Sequence, residues 1–309
     1  MSVMIDVLCC TYGRTRHLRE AVQSFALQSI PMARMIILND NPEQKLSCAM
    51  ERVVIVNADT RFPCLGDKRN AVNALSDAPV CVTVDDDDLF MPWFCSEMMK
   101  GALAHGYFLA SNFISSSGTG KNFTTQLRGR GPAGVPSYTK SLFDKIRGYP
   151  SINSGQDQEL TARMSKYLNH NPKWYSGDRV FELNAYDTVG KHEKICPPSY
   201  VYRWSNGVTH LSGKPDGNEW DRARISFENN RLEPRGDILI VPSWDIDYVT
   251  ACKGPIDQWM EKNPGYEDPR KPWDDTWKPA IVSQCTEPDG MRLAKDVLVP
   301  KNIKLRGEK

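Results

Sequence analysis

The first hundred residues alternate between short apolar runs and amphipathic stretches. Of all the features of the sequence, this alternation restricts the possible folds most strongly. Short apolar runs predict buried strands at residues 3–10, 35–38, 53–56 and 79–84. Apolar side chains at helical spacing predict helices at residues 15–29, 66–76 and 92–104. Such alternation predicts an α/β fold with a mostly parallel central sheet that helices cover on both faces. In open sheets of this kind, ligands bind beyond the carboxyl ends of the strands.

The pattern weakens after residue 106. The pattern still predicts one more strand at residues 107–113 and helices at residues 142–146 and 158–168. The Ser, Gly and Thr content of residues 115–134 predicts a mobile loop. Beyond about residue 212, Pro and Trp become frequent, and only residues 237–241 are typical of a strand. We therefore expect a catalytic domain at 1–211 and an irregular C-terminal extension at 212–309, a candidate for acceptor binding.

Four consecutive aspartates, Asp85, Asp86, Asp87 and Asp88, directly follow the fourth predicted strand. Two such charges 4 Å apart repel by roughly 1 kcal/mol in water and by more at low dielectric. A bound cation would relieve this repulsion, and carboxylate oxygens favour Mn2+ or Mg2+. Alternate residues of an extended chain point the same way, so Asp85 and Asp87 are expected to share one face. A solvated acidic turn is the alternative interpretation.

Five motifs in a fixed order carry a resemblance to a known family. They are the opening strand and loop at 5–14, the strand end at 36–41, the G-x-x-x-R-N helix start at 66–71, the D-x-D-D segment at 84–89, and Gly148-Tyr149 followed by residues 155–163. Together they resemble glycosyltransferase family 2, from residue 3 to about residue 170. The resemblance implies a GT-A (Rossmann-like) fold and an inverting transfer of sugar from a nucleotide-sugar, a UDP-sugar, to a hydroxyl group.

The departing nucleoside diphosphate and the attacking hydroxyl make different demands on the site. A divalent ion at Asp87, supported by Asp85, would neutralise the charge that builds on the diphosphate. His210 is a candidate further ligand, although a lone histidine is more often structural. The hydroxyl needs a general base, and the resemblance assigns this role to Asp157. Alternatively, Asp157 is a carboxylate that only stabilises the start of a helix.

The resemblance also implies a set of nucleotide-sugar contacts. Asp40 would accept hydrogen bonds from uracil or another base, although a simple turn aspartate is the alternative. Lys68 and Arg69 would approach the diphosphate, and a solvated helix face is an equal alternative for Lys68. The complete set expected to contact the nucleotide-sugar is Thr11, Tyr12, Arg14, Asp40, Lys68, Arg69, Asp85 and Asp86.

Charge and cysteine content bear on partners and on location. The net charge of +1 gives no global field that would attract nucleic acid or a membrane. No apolar run approaches the roughly 20 residues that a membrane span needs, and the N-terminus lacks the pattern of a signal peptide. Nine cysteines without a C-x-x-C spacing are typical of reduced thiols. These features predict a cytoplasmic enzyme without membrane insertion, whose partners are a nucleotide-sugar donor and a soluble acceptor such as a glycan.

Aromatic and basic residues concentrate in the C-terminal part, where they suit sugar stacking or a base extruded from DNA. They are Trp204, Trp220, Trp244, Trp259, Trp273 and Trp277, with Arg203, Arg222, Arg224, Arg231 and Arg235 between them. One alternative function is therefore glycosylation of a hydroxylated pyrimidine in DNA, and ordinary packing of these side chains is the simpler interpretation. A second alternative is a nucleotide-sugar-binding protein or a nucleotidyltransferase. Residues 9–16 hold a single glycine, which disfavours the Gly-rich phosphate loop of a nucleotidyltransferase.

Overall fold

A computed structural model describes residues 4–109, 113–117, 124–128, 135–168, 172–176, 179–183, 197–203, 219–244 and 248–271. Its strands are β1 (Ile5–Thr11), β2 (Ala33–Asn39), β3 (Gln44–Cys48), β4 (Val53–Asn57), β5 (Val80–Asp85), β6 (Leu89–Phe90), β7 (Tyr107–Leu109), β8 (Phe113–Ser117), β9 (Thr124–Arg128), β10 (Pro136–Thr139), β11 (Pro172–Ser176), β12 (Arg179–Leu183), β13 (Tyr200–Arg203) and β14 (Gly236–Ile240). Its helices are α1 (Thr15–Ala26), α2 (Leu65–Ala74), α3 (Phe94–His105), α4 (Lys140–Lys145), α5 (Gln156–Tyr167), α6 (Glu219–Asn229), α7 (Tyr248–Ala251) and α8 (Lys253–Lys262).

The central sheet has six strands in the order β4-β2-β1-β5-β10-β7. Strands β4, β2, β1 and β5 are parallel, whereas β10 runs antiparallel to both β5 and β7. Successive residues of β1 enter separate apolar clusters: Val7 belongs to the cluster that contains Phe25, and Leu8 to the one that contains Tyr138. Both faces of the sheet are therefore covered, and the predicted α/β fold with a mostly parallel sheet is confirmed.

A second sheet of four strands, in the order β6-β13-β8-β9, lies beside the end of β5. The mobile loop predicted at residues 115–134 is wrong in part, because β8 continues to Ser117 and β9 pairs antiparallel with it. The strand predicted at 107–113 is confirmed at its start by β7, but β7 ends at Leu109 and Phe113 opens β8 in the other sheet. Packing against neighbouring elements overrides the weak strand preference of these Ser- and Thr-rich segments.

The described part of the C-terminal region packs directly on the N-terminal part. Strand β14 lies parallel to β3, which confirms the strand predicted at residues 237–241 within one residue. Helices α7 and α8 bring Tyr248, Cys252 and Ile256 into an apolar cluster with Ile114 and Val201 of the second sheet. The sequence pattern predicted neither β3 nor helices α6 to α8. No helix among the described residues combines the length and the apolarity that crossing a bilayer requires.

Candidate active site at the end of strand β5

The four aspartates lie at the carboxyl end of β5, in the turn that leads to β6. Asp86 is fully buried, where its carboxylate accepts a hydrogen bond from Thr11 Oγ1 at 2.7 Å and pairs with the Arg14 guanidinium. The same guanidinium donates from Nη1 to Asp87 Oδ2 at 2.8 Å. Arg14 therefore relieves part of the repulsion that the sequence analysis assigned to a bound cation.

A small cavity joins the two outer aspartates of the run to the start of helix α5. Its volume is about 40 Å³, and it is lined by Asp85, Asp88 and Asp157 together with Arg69 and Tyr202. The side chain of Asp85 is 49% exposed and accepts from Arg69 Nη2 at 2.9 Å. The structure thus brings three predicted residues together, Asp85, Arg69 and Asp157. Asp87 does not line this cavity.

Two residues of the cavity, Asp88 and Tyr202, were not predicted from the sequence as site residues. Asp88 is buried, and its Oδ1 accepts from the backbone N–H of Arg203 at 3.4 Å. The aspartate run itself marked Asp88, but nothing in the sequence shows that the carboxyl group would turn inward. Tyr202 lies on β13, more than a hundred residues further along the chain, and no local pattern connects it to the aspartates.

Burial and mutual repulsion perturb the titration of these groups. Burial raises the pKa of Asp86 to about 6, with Asp87 adding to the shift and Arg14 and Thr11 opposing it. Burial also raises the pKa of Asp88 well above its ordinary value, with further contributions from Asp87 and Asp85. Burial and then the nearby carboxylates raise the pKa of the Tyr202 hydroxyl. Burial is thus the largest cause of all three shifts, and the neighbouring carboxylates add to it.

Helix α2 shows why the G-x-x-x-R-N motif has its residue types. A Cβ atom at Gly66 would lie 1.8 Å from the backbone oxygen of Pro150, so only glycine allows this approach. Arg69 points to Asp85, and Asn70 exchanges two hydrogen bonds with the backbone of Tyr149, at 2.9 and 2.7 Å. The motif therefore fixes the segment before α5 against α2, and this positions Asp157 across from Asp85.

Lys68 and Asp40 form a buried pair at the end of β1. The ammonium of Lys68 lies 2.5 Å from Asp40 Oδ1 and donates to the backbone oxygen of Thr11 at 2.7 Å. The other carboxylate oxygen of Asp40 accepts from the backbone N–H of Phe62 at 3.0 Å. Lys68 does not lie on a solvated helix face, so that alternative is wrong. Contacts of Lys68 with a diphosphate and of Asp40 with a base remain predictions, and both would compete with this pair.

The loop after β1 is packed against helix α6. Tyr12 is half-buried, and the guanidinium of Arg61 lies 4.5 Å from the centre of its ring. Gly13 has φ +66°, and a Cβ atom there would lie 2.4 Å from the Phe227 ring. Helix α6 therefore rests directly on the loop that the sequence analysis assigned to the nucleotide.

A buried ionic network holds the aspartate turn from the opposite side. Arg203 on β13 pairs with Glu20 of α1 and donates through Nε to the backbone oxygen of Asp87. The Tyr248 hydroxyl donates to Glu20 Oε1 at 3.2 Å. Burial, followed by Arg203 and Arg14, lowers the pKa of the nearby His17 to about 4. Arg203 is therefore a structural residue, and its placement in an aromatic and cationic acceptor surface is wrong.

Four other described members of that predicted aromatic and cationic surface pack within the protein or pair with carboxylates. Trp259 is buried, and Trp244 lies 6.0 Å from the Tyr248 ring, edge to face. Arg224 pairs with Glu228, and Arg235 pairs with Glu43. Ordinary packing therefore describes the two tryptophans, whereas the two arginines form exposed ion pairs. Outside the described residues and side chains lie Trp204, His210, Trp220, Arg222, Trp273 and Trp277.

A mostly parallel sheet with carboxylates at the tip of β5 and at the start of α5 defines a GT-A type of α/β enzyme. The model of a protein family described as glycosyl transferase family 2 matches residues 6–163, about half of the chain. The chain belongs to this family, and the protein is a glycosyltransferase.

Similarity to solved structures is distant, and no curated protein matches the sequence. Residues 1–349 of S. aureus TarS in complex with UDP-GlcNAc are 12% identical, with 87% of this chain and 74% of that chain covered and a TM-score of 0.45. The mannosyltransferase PcManGT from Pyrobaculum calidifontis, in complex with GDP-Man and Mn2+, is 12% identical, with 74% and 62% covered and a TM-score of 0.41.

Proposed function

We propose that the protein is a metal-dependent, inverting glycosyltransferase that moves a sugar from a nucleotide-sugar, a UDP-sugar, to a hydroxyl group of an acceptor glycan. One observation carries the proposal: Asp85 at the end of β5 and Asp157 at the start of α5 line the same cavity, with Arg69 beside them. A carboxylate for the acceptor and charged groups for the diphosphate are the two requirements of such a transfer.

Asp157 is the proposed general base. It lies in the first turn of α5 and lines the cavity beside Asp85. As the acceptor oxygen bonds to the anomeric carbon, the bond from that carbon to the phosphate oxygen breaks, and the hydroxyl proton moves to Asp157. A single displacement of this kind inverts the anomeric centre. Arg69 lies beside Asp85 and Asp157 and would balance negative charge on the diphosphate.

The donor set suits Mn2+ or Mg2+, with Asp87 and Asp85 as the proposed ligands. Among the residues that the structure describes, no group of three or more His, Cys, Asp or Glu side chains is placed to hold a metal ion. Mg2+ is commonly held by one or two carboxylates together with substrate phosphates, so a nucleotide would complete the site. The cavity of about 40 Å³, which Asp85 lines and Asp87 does not, is close to the volume of one water molecule and is too small for a sugar ring. When bound, the metal would supply positive charge to the departing diphosphate.

We further propose that residues 1–211 form the catalytic domain and that residues 212–309 extend it. The contact of Phe227 with Gly13 and the pairing of β14 with β3 support a role for the extension in shaping the nucleotide side of the site. Transfer to DNA bases receives no support from Trp259, Arg203 and Arg235, because Trp259 is buried and the two arginines pair with carboxylates.

A screen of nucleotide-sugars tests the proposal. Release of nucleoside diphosphate is measured for UDP-, GDP- and other nucleotide-linked sugars, with Mn2+, with Mg2+ and with EDTA. We expect at least one UDP-sugar to be hydrolysed or transferred with metal, and EDTA to abolish the reaction. Asp87→Asn should lose this activity, whereas Asp144→Asn, a matched change on the exposed face of α4, should retain it. Equal activity with metal and with EDTA would contradict the metal dependence. If no nucleotide-sugar releases its nucleoside diphosphate, the proposed reaction is wrong.

A further inference from the structure

The second sheet presents one face to a cavity of about 310 Å³. Phe113 lies opposite Arg128 and Ser115 lies opposite Gln126 in the β8–β9 register, and Tyr202 of β13 lies beside Ser115. Because alternate residues of a strand point to the same side of a sheet, these five side chains share one face. All five line the cavity.

The opposite face of this sheet is anchored to the C-terminal helices. Ile114 and Val201 are fully buried against Tyr248 and Ile256, and Thr125 Oγ1 donates to the backbone oxygen of Ala251 at 2.7 Å. Packing on one side holds the sheet in place and leaves the cavity face for another role. Gln126 and Arg128 are exposed on that face.

Tyr202 connects this cavity to the cavity of the catalytic carboxylates, because it lines both. Asp85, Asp88 and Asp157 line the smaller cavity together with Tyr202. A molecule bound on the sheet face would therefore border the carboxylate cavity at Tyr202. A second substrate must lie beside the general base in this way, so that its hydroxyl can reach Asp157.

The chemistry of the lining indicates what kind of molecule would fit. Phe113 and Tyr202 form an edge-to-face pair with ring centres 6.0 Å apart, beside the Ser115 hydroxyl and the Gln126 amide. Arg128 supplies a guanidinium, and none of the described residues in the lining is acidic. Rings, hydroxyls and an amide suit a carbohydrate or polyol, and a guanidinium suits a phosphate or carboxylate group. The volume lies at the lower end of the range for small-molecule sites.

We propose that this sheet face is the acceptor subsite, and that the acceptor is a carbohydrate or polyol with an anionic group held by Arg128. The acceptor hydroxyl reaches Asp157 past Tyr202. This assignment rests on the proposed sugar transfer for its role, while the binding of an anionic polyol is testable without any donor.

The binding test compares hexoses with their 6-phosphates by ligand-observed NMR. We expect the phosphates to bind about tenfold more tightly than the neutral sugars, as one charge-assisted contact provides. Arg128→Gln should remove this difference, and Arg231→Gln, a change of an exposed arginine that lines neither cavity, should keep it. Equal binding of neutral and phosphorylated sugars, an unaffected Arg128→Gln variant, or no binding at all would each overturn the assignment.

The activity test uses a nucleotide-sugar that the wild type turns over. Gln126→Trp places a large ring in the cavity at an exposed strand position that tolerates aromatic residues. We expect it to lower transfer to the acceptor about tenfold or more relative to hydrolysis of the donor by water, measured in the same variant. An equal loss of transfer and hydrolysis would contradict the subsite, as would efficient transfer to hydroxymethylated DNA. If no donor is consumed but Arg128 still discriminates phosphates, the proposed reaction fails and the anion-binding polyol site stands.

Discussion

Arg14 partly neutralises the repulsion among the four adjacent aspartates. Its guanidinium contacts both Asp86 and Asp87, whose carboxylates are otherwise close together in a buried turn. The aspartate run alone suggested that only a bound ion could relieve the repulsion. Arg14 lies more than seventy positions from these aspartates in the sequence, so the aspartate run alone could not indicate it. The protein therefore supplies one positive charge itself, and a bound metal ion would add further positive charge.

At Asp157 we expect the largest loss of activity from the smallest change. Asp157→Asn keeps the size of the side chain but cannot accept the acceptor proton, so transfer should fall by about 10²- to 10⁴-fold. Binding of the sugar nucleotide should be retained. The comparison is kcat for transfer against donor affinity by calorimetry, with Asp144→Asn as the control. Full transfer activity in the Asp157→Asn protein would show that another group is the base.

His17 should make the protein less stable in acid. Burial, then Arg203 and Arg14, hold its folded pKa near 4, below the ordinary 6.5, while Asp87 opposes and Arg16 adds to the shift. The unfolded chain takes up the proton first, so this stabilisation is complete above pH 6.5 and is lost as the pH falls towards 4.

His17→Asn should therefore flatten the decline in the free energy of unfolding between pH 7 and pH 5, by about 2 kcal/mol. Urea denaturation at both pH values measures the difference. Asp86, whose raised pKa of about 6 acts in the opposite direction, is present in both proteins and cancels. Parallel pH profiles for the two proteins would contradict the buried, neutral state of His17.

At the level of single residues, the sequence located part of the candidate site. The order of motifs placed Asp85, Arg69 and Asp157 in one group, and the structure finds them in one cavity. It did not locate Asp88 and Tyr202, because their positions depend on how β13 and the aspartate turn pack together. Nor did it show that Lys68 would be buried against Asp40, since a charged residue in a helix pattern normally indicates a solvated face.

At the scale of helices and strands, hydrophobic periodicity was sufficient to predict an element when the pattern lies within that one segment. The apolar runs of β1, β2, β4 and β5 and the helical spacing of α1 predicted those elements to within a few residues. Strands β8 and β9 were missed because Ser and Thr dominate them, and their stability comes from the side that packs on α7 and α8. Strand β3 has little apolar content, and its pairing with β14 depends on residues far along the chain.

Strand β13 and helix α1 are joined by the buried pair of Arg203 and Glu20, and we expect this pair to be important for stability. Arg203→Met leaves the Glu20 carboxylate buried without its positively charged partner, which should cost about 3–5 kcal/mol. Changing both residues, as Glu20→Gln with Arg203→Met, should recover much of that loss. The exposed pair of Arg235 and Glu43 is the control, because Arg235→Met should cost at most about 1 kcal/mol. Urea unfolding that shows equal costs at the two sites would contradict this account.

Across the whole molecule, the C-terminal extension is continuous with the catalytic part. Phe227 closes on Gly13, Tyr248 joins the Arg203 network, and Ile238 and Ile240 are buried on β14. These contacts distribute the core between the two parts of the chain. The boundary proposed at residue 211 therefore marks a change of composition, while the packing continues across it.

Removal of the extension should destabilise the catalytic part. A 1–211 fragment lacks β14 and helices α6 to α8, so it exposes apolar surface of β3 and of the second sheet. We expect a lower urea midpoint than for the full chain and weaker binding of a sugar nucleotide. A 1–271 fragment, which keeps every described element, should match the full chain. If the 1–211 fragment unfolds at the same midpoint as the full chain, the two parts are independent domains.

The central claim is that the carboxylates at the end of β5 and a divalent ion together hold a nucleotide diphosphate. Calorimetric titration of UDP into the protein, with Mn2+ and then with EDTA, measures it directly. We expect Mn2+ to tighten binding at least about tenfold, and Asp87→Asn to remove that gain while the protein stays folded. Equal UDP affinity with Mn2+ and with EDTA, or an undiminished effect of Mn2+ on Asp87→Asn, would contradict the claim.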